Sequence, residues 1–307
     1  MRRAAVLLAA AVVVAGCGSS SDGGGGGRGG GSGSYSGSSA LVDRDAAPPY
    51  VNSIVPRPDG SLLLTTNKGF WRVSAQGRLT PVRDAKVVAS DGASRVGTFL
   101  EVADVGTDEL YGSGHPDPGG TLPEYLGVMR SQDGGRTWNV ISRLGRADIH
   151  EFRRNGTTLY LWDAVQGAVL VSEDGLRSFQ ERFTPRQLIY SLVVDPEDPD
   201  FLLITTGEET FKSTDQGRTW KPSGLAVAPR LLWLQSGELF RATQEGDVEQ
   251  SSDRGATWKR VGRLPGPVEE LEGLDARRLY AALGDGSVAR STDGGRTWSV
   301  MLEAPDA

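Results

Sequence analysis

The sequence predicts an all-β protein, a β-propeller of six four-stranded blades, with seven blades as the alternative. Three observations favour this fold class. An eight-residue pattern, Ser-x-Asp-x-Gly-x-Thr-Trp with small variations, occurs five times, and its copies lie 38 to 41 residues apart. Short β-rich runs separated by Gly, Pro and Asp turns fill the intervals between the copies. The copies occupy residues 131–138, 172–179, 213–220, 251–258 and 291–298.

Each copy of the pattern is expected to form a tight turn between the third and fourth strands of a blade. Its Asp carboxylate accepts hydrogen bonds from backbone N–H groups of the turn, and its Gly tolerates a positive φ. The aromatic residue then begins the next strand. The five aspartates are interpreted as structural and not as metal or catalytic groups, because each belongs to a different blade: Asp133, Asp174, Asp215, Asp253 and Asp293.

Strand-forming runs around the turns give the blade layout. In one blade the four predicted strands are Leu188–Val194, Phe201–Thr206, Glu209–Ser213 and one that starts at Thr219–Lys221. The same layout fits three blades that begin near His150, Arg230 and Val268, one near Gly97, and one at Val51 in which Ser74–Gly77 replaces the repeated turn. Residues 48–303 are therefore predicted to form the propeller, and a seventh blade would require residues 40–45.

The N-terminal segment has the features of an export signal. Arg2 and Arg3 precede an apolar run over residues 4–15, which is too short to span a bilayer. The run ends in Val14-Ala15-Gly16-Cys17, which resembles a bacterial lipobox. Residues 1–16 are predicted to be a lipoprotein signal peptide, and residues 17–47 a lipidated Cys17 followed by a Gly- and Ser-rich flexible tether. The protein is therefore expected outside the cytoplasm, anchored to the bacterial cell membrane through lipid.

Charge and cysteine content narrow the partners. The formal net charge is −6, with both signs interspersed along the chain, which argues against nucleic acid as a partner. Cys17 is the single cysteine, so the exported domain has no intramolecular disulfide. A monomer is expected. No cofactor is predicted.

Propeller topology places the repeated turns on one face and the loops before the first and third strands of each blade on the other, where propellers usually bind ligands. The only two histidines fall on that second face. His115 lies in the long loop Gly112–Glu124, and His150 begins a first strand. The predicted rim site also includes Asp148, Asp163 and Asn67. Hydrogen bonding of the histidines to loop backbone alone is the competing interpretation. Two histidines with a carboxylate are compatible with a metal ion or with a polar ligand.

Residues 48–303 resemble the BNR/Asp-box "glycosyl hydrolase-like" lipoproteins of actinobacteria. The resemblance rests on the five repeats, on Gly114-His115-Pro116, and on the run Leu144-Gly-Arg-Ala-Asp-Ile-His150. It implies a sialidase-like propeller with a His-rich site, in which Asn52 and Asn67 occupy positions where relatives carry histidine. Amides are poor ligands for transition metals, so no metal is predicted, and His115 and His150 are only weak candidates.

Two functions remain open. The first is a binding or assembly module for a glycan, a peptide or an envelope protein. The second is a glycoside hydrolase of exo-sialidase type, which needs three arginines around a carboxylate, a Tyr–Glu nucleophile pair and an acid/base Asp. The nearest match to the sialidase Arg-Ile-Pro motif, Pro56-Arg57-Pro58, falls on the face of the repeated turns. Tyr190 with Glu269 or Glu270 would be the nucleophile pair, but their spacing does not select them. The sequence therefore favours binding over catalysis.

Overall fold

The computed structural model describes residues 51–82, 85–90, 92–104, 109–185 and 187–303. The predicted signal peptide, Cys17 and the tether lie outside these residues, as do residues 48–50 and the segment 40–45 that a seventh blade would require. Within the described ranges, no helix is both long and apolar enough to cross a membrane.

The described chain is built from strands arranged in small antiparallel sheets, which confirms the all-β prediction. Five sheets have four strands each, and in every one the strands neighbour each other in chain order. The first contains β1 (Val51–Pro56), β2 (Leu62–Thr66), β3 (Gly69–Val73) and β4 (Leu79–Pro81). The third contains β10 (Ile149–Asn155), β11 (Thr158–Asp163), β12 (Ala168–Ser172) and β13 (Gln180–Phe183).

The remaining three four-stranded sheets follow the same plan. The fourth contains β14 (Ile189–Val194), β15 (Leu202–Thr206), β16 (Thr210–Ser213) and β17 (Lys221–Pro222). The fifth contains β18 (Arg230–Trp233), β19 (Leu239–Ala242), β20 (Asp247–Ser251) and β21 (Lys259–Arg263). The sixth contains β22 (Val268–Gly273), β23 (Leu279–Leu283), β24 (Val288–Ser291) and β25 (Ser299–Leu302).

The second sheet departs from the predicted four strands. It contains β5 (Lys86–Ala89), β6 (Gly92–Asp104), β7 (Leu110–Pro116), β8 (Val128–Ser131) and β9 (Thr137–Ser142). Strand β5 pairs antiparallel with the start of β6 and parallel with β9, which closes the sheet on itself. Val87 of β5 is fully buried in the cluster that contains Phe99 and Trp138, so the added strand covers the aromatic core of this blade. The blade therefore begins before Gly97.

One strand of each sheet, which is the first strand in five sheets and β6 in the second, takes part in a closed ring of inner strands. In chain order, β1, β6, β10, β14, β18 and β22 each contact the next, and β22 contacts β1. This cyclic arrangement is the β-propeller that the period of the repeats predicts. We call the face at which these inner strands begin the upper face, and the opposite face, which carries the repeated turns, the turn face.

The repeated turns are stabilised by a common set of hydrogen bonds. In the fourth blade, Ser213 Oγ accepts from the buried N–H of Gly217 at 2.8 Å, and Asp215 Oδ1 accepts from Thr219 N at 2.8 Å. The Thr219 hydroxyl donates to Asp215 Oδ2 at 2.6 Å, and Trp220 Nε1 donates to Gly217 O at 2.8 Å. The Thr219 hydroxyl and then its backbone N–H lower the pKa of Asp215 to about 2. Each aspartate of the repeat thus contacts its own turn.

The same Ser–N–H bond recurs in the other four turns at 2.8 to 2.9 Å. The third blade shows how strongly the turn imposes its backbone, because Leu176 takes the place of the usual Gly there and adopts a φ of 68°. That conformation is strained for a branched side chain. The buried Leu176 side chain packs in the core of this blade, which offsets the strain.

We expect Ser213→Ala to destabilise the protein by about 1–3 kcal/mol, because the buried Gly217 N–H loses its acceptor. Ser236→Ala is the matched control, since Ser236 is exposed and its hydroxyl, within the described residues, bonds the half-buried Glu238 side chain. Denaturant unfolding of both variants measures the difference. Equal stabilities for the two variants would contradict the role assigned to the serine of the repeat.

Candidate functional site

Three of the residues predicted for the rim site lie together on the upper face. Asp148, in the segment before β10, lies between two imidazoles: His150 Nε2 is 3.1 Å from its Oδ2, and His115 Nε2 is 3.6 Å from its Oδ1. His115 Nδ1 lies 2.9 Å from the carbonyl oxygen of Glu124, an acceptor, so Nδ1 carries the proton in that bond. We call His115, Asp148 and His150 the His–Asp–His group.

Asp163, a fourth predicted residue, supports this group from beneath. Its side chain is fully buried, and its Oδ1 accepts from the backbone N–H of Asp148 at 3.2 Å and of Val165 at 3.1 Å. Its Oδ2 lies 3.5 Å from Arg143 Nη2. Burial raises the pKa of Asp163, although these hydrogen bonds and Arg143 oppose the shift. Asp163 is therefore a positioning residue for Asp148.

Asn52 and Asn67 lie on the same face, and each makes a hydrogen bond to β6: the Asn52 side chain to a backbone oxygen, and the Asn67 backbone oxygen to a side-chain hydroxyl. Asn52 Nδ2 donates to Phe99 O at 2.5 Å, and the Asn67 carbonyl oxygen accepts from the Thr98 hydroxyl at 3.3 Å. Thr98 is the ladder partner of His115, which lies near the end of β7 and not in the predicted loop Gly112–Glu124, because β7 extends to Pro116. The two asparagines thus reach the strand next to His115, and no hydrogen bond within the described residues joins them to the His–Asp–His group.

A charged cluster lies at the centre of the ring of inner strands, and the sequence patterns did not predict it. Five of the six inner strands carry a register shift, near the start of β1, β10, β14 and β22 and between Phe99 and Glu101 within β6. The residue after each shift, and the corresponding residue of β18, pairs with an equivalent position on the second strand of its blade. These six equivalent residues are Ser53, Glu101, Glu151, Ser191, Arg230 and Glu270.

Two further charged residues, Arg153 and Glu272, follow two positions later on β10 and β22, on the same side of their strands. Arg153 contacts carboxylates from three blades: Glu151 Oε2 at 2.8 Å, Glu272 Oε1 at 3.5 Å and Glu101 Oε1 at 3.7 Å. We use "central cluster" for the six charged side chains of Glu101, Glu151, Arg153, Arg230, Glu270 and Glu272.

Arg230 makes the second set of contacts in the central cluster. Its Nε lies 3.5 Å from Glu270 Oε2 and donates to the backbone oxygen of Glu269 at 2.5 Å. Its Nη1 donates to the backbone oxygen of Tyr190 at 2.5 Å. Arg230 therefore links the inner strands of the fourth, fifth and sixth blades.

Burial dominates the electrostatics of the cluster. It raises the pKa of Glu151 to about 7 and that of Glu272 to about 8, and it raises the pKa of Glu101 well above its usual range. Arg153 opposes each of these shifts, and the neighbouring glutamates add to them. Burial alone would lower the pKa of Arg153, but the four glutamates outweigh it, and the net shift is upward.

A sequence signal for this cluster exists. Glu151 and Arg153 alternate on β10, as do Glu270 and Glu272 on β22, within strands whose neighbouring residues Phe152 and Leu271 are buried. The inner strands are covered by protein on both faces. Charged residues along one of these faces therefore indicate that the space between the inner strands is polar. No set of three or more His, Cys, Asp or Glu side chains in the described ranges is arranged to hold a metal ion.

Comparisons with known proteins support the fold. No protein-family model matches the chain. The chain is 30% identical over 104 residues to the dispase autolysis-inducing protein of Streptomyces mobaraensis, a match that covers 33% of this chain and 27% of that relative. The chain therefore spans about a quarter of the length of that relative.

Solved structures share the architecture at low sequence identity. A chain of the nidogen/laminin complex superposes with a TM-score of 0.56 and 14% identity, over 79% of this chain and 93% of that one. The GH74 xyloglucanase from Xanthomonas campestris gives a TM-score of 0.51 and 16% identity, over 83% of this chain and 45% of the enzyme. At these identities the similarity shows the β-propeller fold alone.

The raised pKa values predict that the protein loses stability as the pH rises. A carboxyl group with a higher pKa in the folded state than in the unfolded state stabilises the fold most below its unfolded pKa, and that stabilisation is lost as the pH passes the folded pKa. For Glu151 and Glu272 this window runs from the ordinary value of 4.5 to about 7 and about 8. We expect the melting temperature to fall by several degrees across it.

Glu272→Gln should flatten this pH dependence, because the amide stays neutral at every pH. Glu245→Gln is the control, since Glu245 is exposed in a turn of the upper face outside the central cluster. Thermal melts of the three proteins at several pH values measure the effect. An identical slope in the wild type and in Glu272→Gln would show that Glu272 does not titrate in this window.

Proposed function

We propose that this protein is a non-catalytic binding module, anchored outside the cytoplasm through lipid, that binds a protein or peptide partner on its upper face. The observation that carries the proposal is the His–Asp–His group. His115, Asp148 and His150 come from two neighbouring blades, and the repeated turns do not require any of them. His115 lies near the end of β7, His150 at the start of β10, and Asp148 directly before that strand. Polar side chains that a rigid scaffold holds together in this way are typical of binding sites.

The group is accessible and preorganised at the same time. The His150 side chain is 43% exposed, whereas those of His115 and Asp148 are 16% and 14% exposed. Glu124 fixes the His115 ring, and Asp163 fixes the backbone of Asp148. A ligand therefore meets one open imidazole above two side chains that are already in place, which lowers the entropic cost of binding.

Exposed apolar side chains on the upper face favour a polypeptide over a glycan as the partner. Val165, Leu188 and Val227 are among the few large hydrophobic residues that the described structure exposes, at 48%, 46% and 39%. Val165 lies between β11 and β12, Leu188 directly before β14, and Val227 before β18, so all three belong to the upper face. The name of the Streptomyces relative likewise describes an action on another protein.

One contact is compatible with the exo-sialidase alternative. Arg230 brings Tyr190 and Glu270 to the same guanidinium, but it binds the backbone oxygen of Tyr190 and not the hydroxyl. Arg153 and Arg230 are both occupied by glutamates and backbone oxygens. Sialidase chemistry instead requires arginines directed at a substrate carboxylate. These contacts favour the binding module.

We expect the double variant His115→Ala/His150→Ala to weaken binding of the partner by about tenfold or more, because two preorganised polar contacts disappear. The partner is first identified by cross-linking envelope proteins to the intact chain, and its affinity is then measured by biolayer interferometry. The melting temperature should stay nearly unchanged, since His150 is exposed and His115 bonds a loop backbone.

Arg177→Ala on the turn face is the matched control and should bind the partner like the wild type, because Arg177 contacts only its own turn. Unchanged affinity in the double variant would overturn the proposed site. A large drop in its melting temperature would show that the histidines serve the fold. Turnover of fluorogenic sialosides above that of a heat-inactivated control would overturn the non-catalytic assignment.

The lipid anchor is tested independently at Cys17. We expect Cys17→Ser to move the protein from the membrane fraction to the soluble fraction of the envelope or the medium, because the serine variant cannot form the thioether to lipid. Incorporation of an alkyne-labelled fatty acid by the wild type, and its loss in the variant, measures the modification directly. A variant that stays with the membrane would contradict anchoring through this residue.

A further inference from the structure

The central cluster contains more acidic than basic side chains. Four glutamates, Glu101, Glu151, Glu270 and Glu272, face two arginines. We propose that the centre of the ring of inner strands is the pocket that receives a lysine or arginine side chain of the partner polypeptide. This inference rests on the proposed function and assigns a chemical class to its partner.

The carboxyl oxygens of the central cluster are not fully paired with hydrogen-bond donors of the part of the protein that the structure describes. Glu151 Oε2 is buried and, although it forms an ion pair with Arg153, has no donor in hydrogen-bond geometry within the described residues. The Glu101 side chain is 8% exposed. Its one partner of opposite charge within the described ranges is Arg153, at 3.7 Å, which is beyond hydrogen-bond distance. A buried carboxyl without a hydrogen-bonding partner destabilises the free protein, and a donor supplied by a ligand removes that penalty.

The two arginines are already shared among several acceptors. Arg153 lies within ion-pair distance of Glu151, Glu272 and Glu101 at once, and the shortest of these contacts is to Glu151. Arg230 donates to the backbone oxygens of Tyr190, Glu269 and Pro229, and its contact with Glu270 is 3.5 Å long. When they are ionised, the four carboxyl groups therefore outnumber the two guanidinium groups, and a further cation would balance the excess negative charge.

The cluster is also within reach of solvent and of the proposed binding surface. The Glu272 side chain is 23% exposed, and those of Arg153 and Arg230 are 19% and 22% exposed. His150 belongs to the His–Asp–His group and directly precedes Glu151, and its charge lowers the pKa of Glu151, so the two sites act on each other electrostatically. Lysine and arginine carry long apolar stems, which suit the exposed Val165, Leu188 and Val227 on the same face.

Protonation gives the proposal a measurable signature. Burial raises the pKa of Glu151 to about 7 and that of Glu272 to about 8, so at neutral pH Glu151 is partly and Glu272 mostly protonated. A bound ammonium or guanidinium group stabilises the ionised carboxylates, so binding releases protons. The affinity for a cationic peptide should therefore increase between about pH 6 and about pH 8, whereas attraction to fixed surface charges would hardly change over that range.

The test uses the full chain with fluorescently labelled hexalysine and hexaglutamate as probes, measured by fluorescence anisotropy at about 0.15 M salt. We expect hexalysine to bind, hexaglutamate not to bind, and the hexalysine affinity to rise at least about fivefold from about pH 6 to about pH 8. Glu101→Gln and Glu272→Gln should each weaken hexalysine binding by about tenfold. Glu245→Gln, which removes one exposed charge from the same face, should bind like the wild type.

Equal weakening by Glu245→Gln would show that overall charge attracts the peptide, and would overturn the pocket. Absence of hexalysine binding would overturn the pocket too. So would binding of calcium ions, measured without peptide, that Glu101→Gln and Glu272→Gln abolish. If hexalysine fails while His115→Ala/His150→Ala still loses the natural partner, the proposed function stands and this inference falls. If hexalysine binding depends on Glu101 and Glu272 while the double variant keeps its partner, the rim site falls instead. Unchanged circular dichroism of each variant shows that it folds.

Discussion

The closure of six inner strands into one ring is the constraint on which the rest of this structure depends. Each inner strand contacts two neighbours, and β22 returns to β1. Side chains at equivalent positions on six separate blades are thereby brought into one small volume. Three of those positions hold glutamate, one holds arginine and two hold serine. The serines bridge neighbouring blades through backbone bonds: Ser53 Oγ donates to Val102 O and Ser191 Oγ to Leu231 O, each at 3.1 Å.

The same closure gives the carboxylates of this protein two opposite behaviours. Aspartates of the repeated turns are exposed and accept several hydrogen bonds, and their pKa values fall, to about 2 for Asp174, Asp215 and Asp293. Glu101, Glu151 and Glu272 of the central cluster are buried among like charges, and their pKa values rise. The hydrogen-bonded aspartates of the turns therefore stabilise the fold only at pH values above the acid range. These buried glutamates of the centre contribute most to stability below neutral pH. Between these limits both contributions are present.

The sequence was enough to predict the elements that repeat. The period of 38 to 41 residues gave the blades, because every copy of the pattern has to make the same turn. It also placed His115, Asp148 and His150 on one face, since chain order alone decides on which face a loop emerges. Strand β5 could not be predicted, because Val87 and its neighbours have no counterpart in the other blades. Nor could the burial of Asp163 beneath Asp148, which depends on the path of one short loop.

The central cluster could not be predicted from sequence patterns alone, because it depends on the register of the inner strands. A register shift in each of their strands moves Glu101, Glu151 and Glu270 into equivalent positions. A shift of one residue reverses the side of a strand that a side chain occupies. Without the shift, His150 and Glu151 would exchange sides. The register shift thus places an open imidazole at the rim and a buried carboxyl at the centre from two consecutive residues. A positive charge on His150 lowers the pKa of Glu151, so a positive charge at the rim favours the ionised carboxylate at the centre.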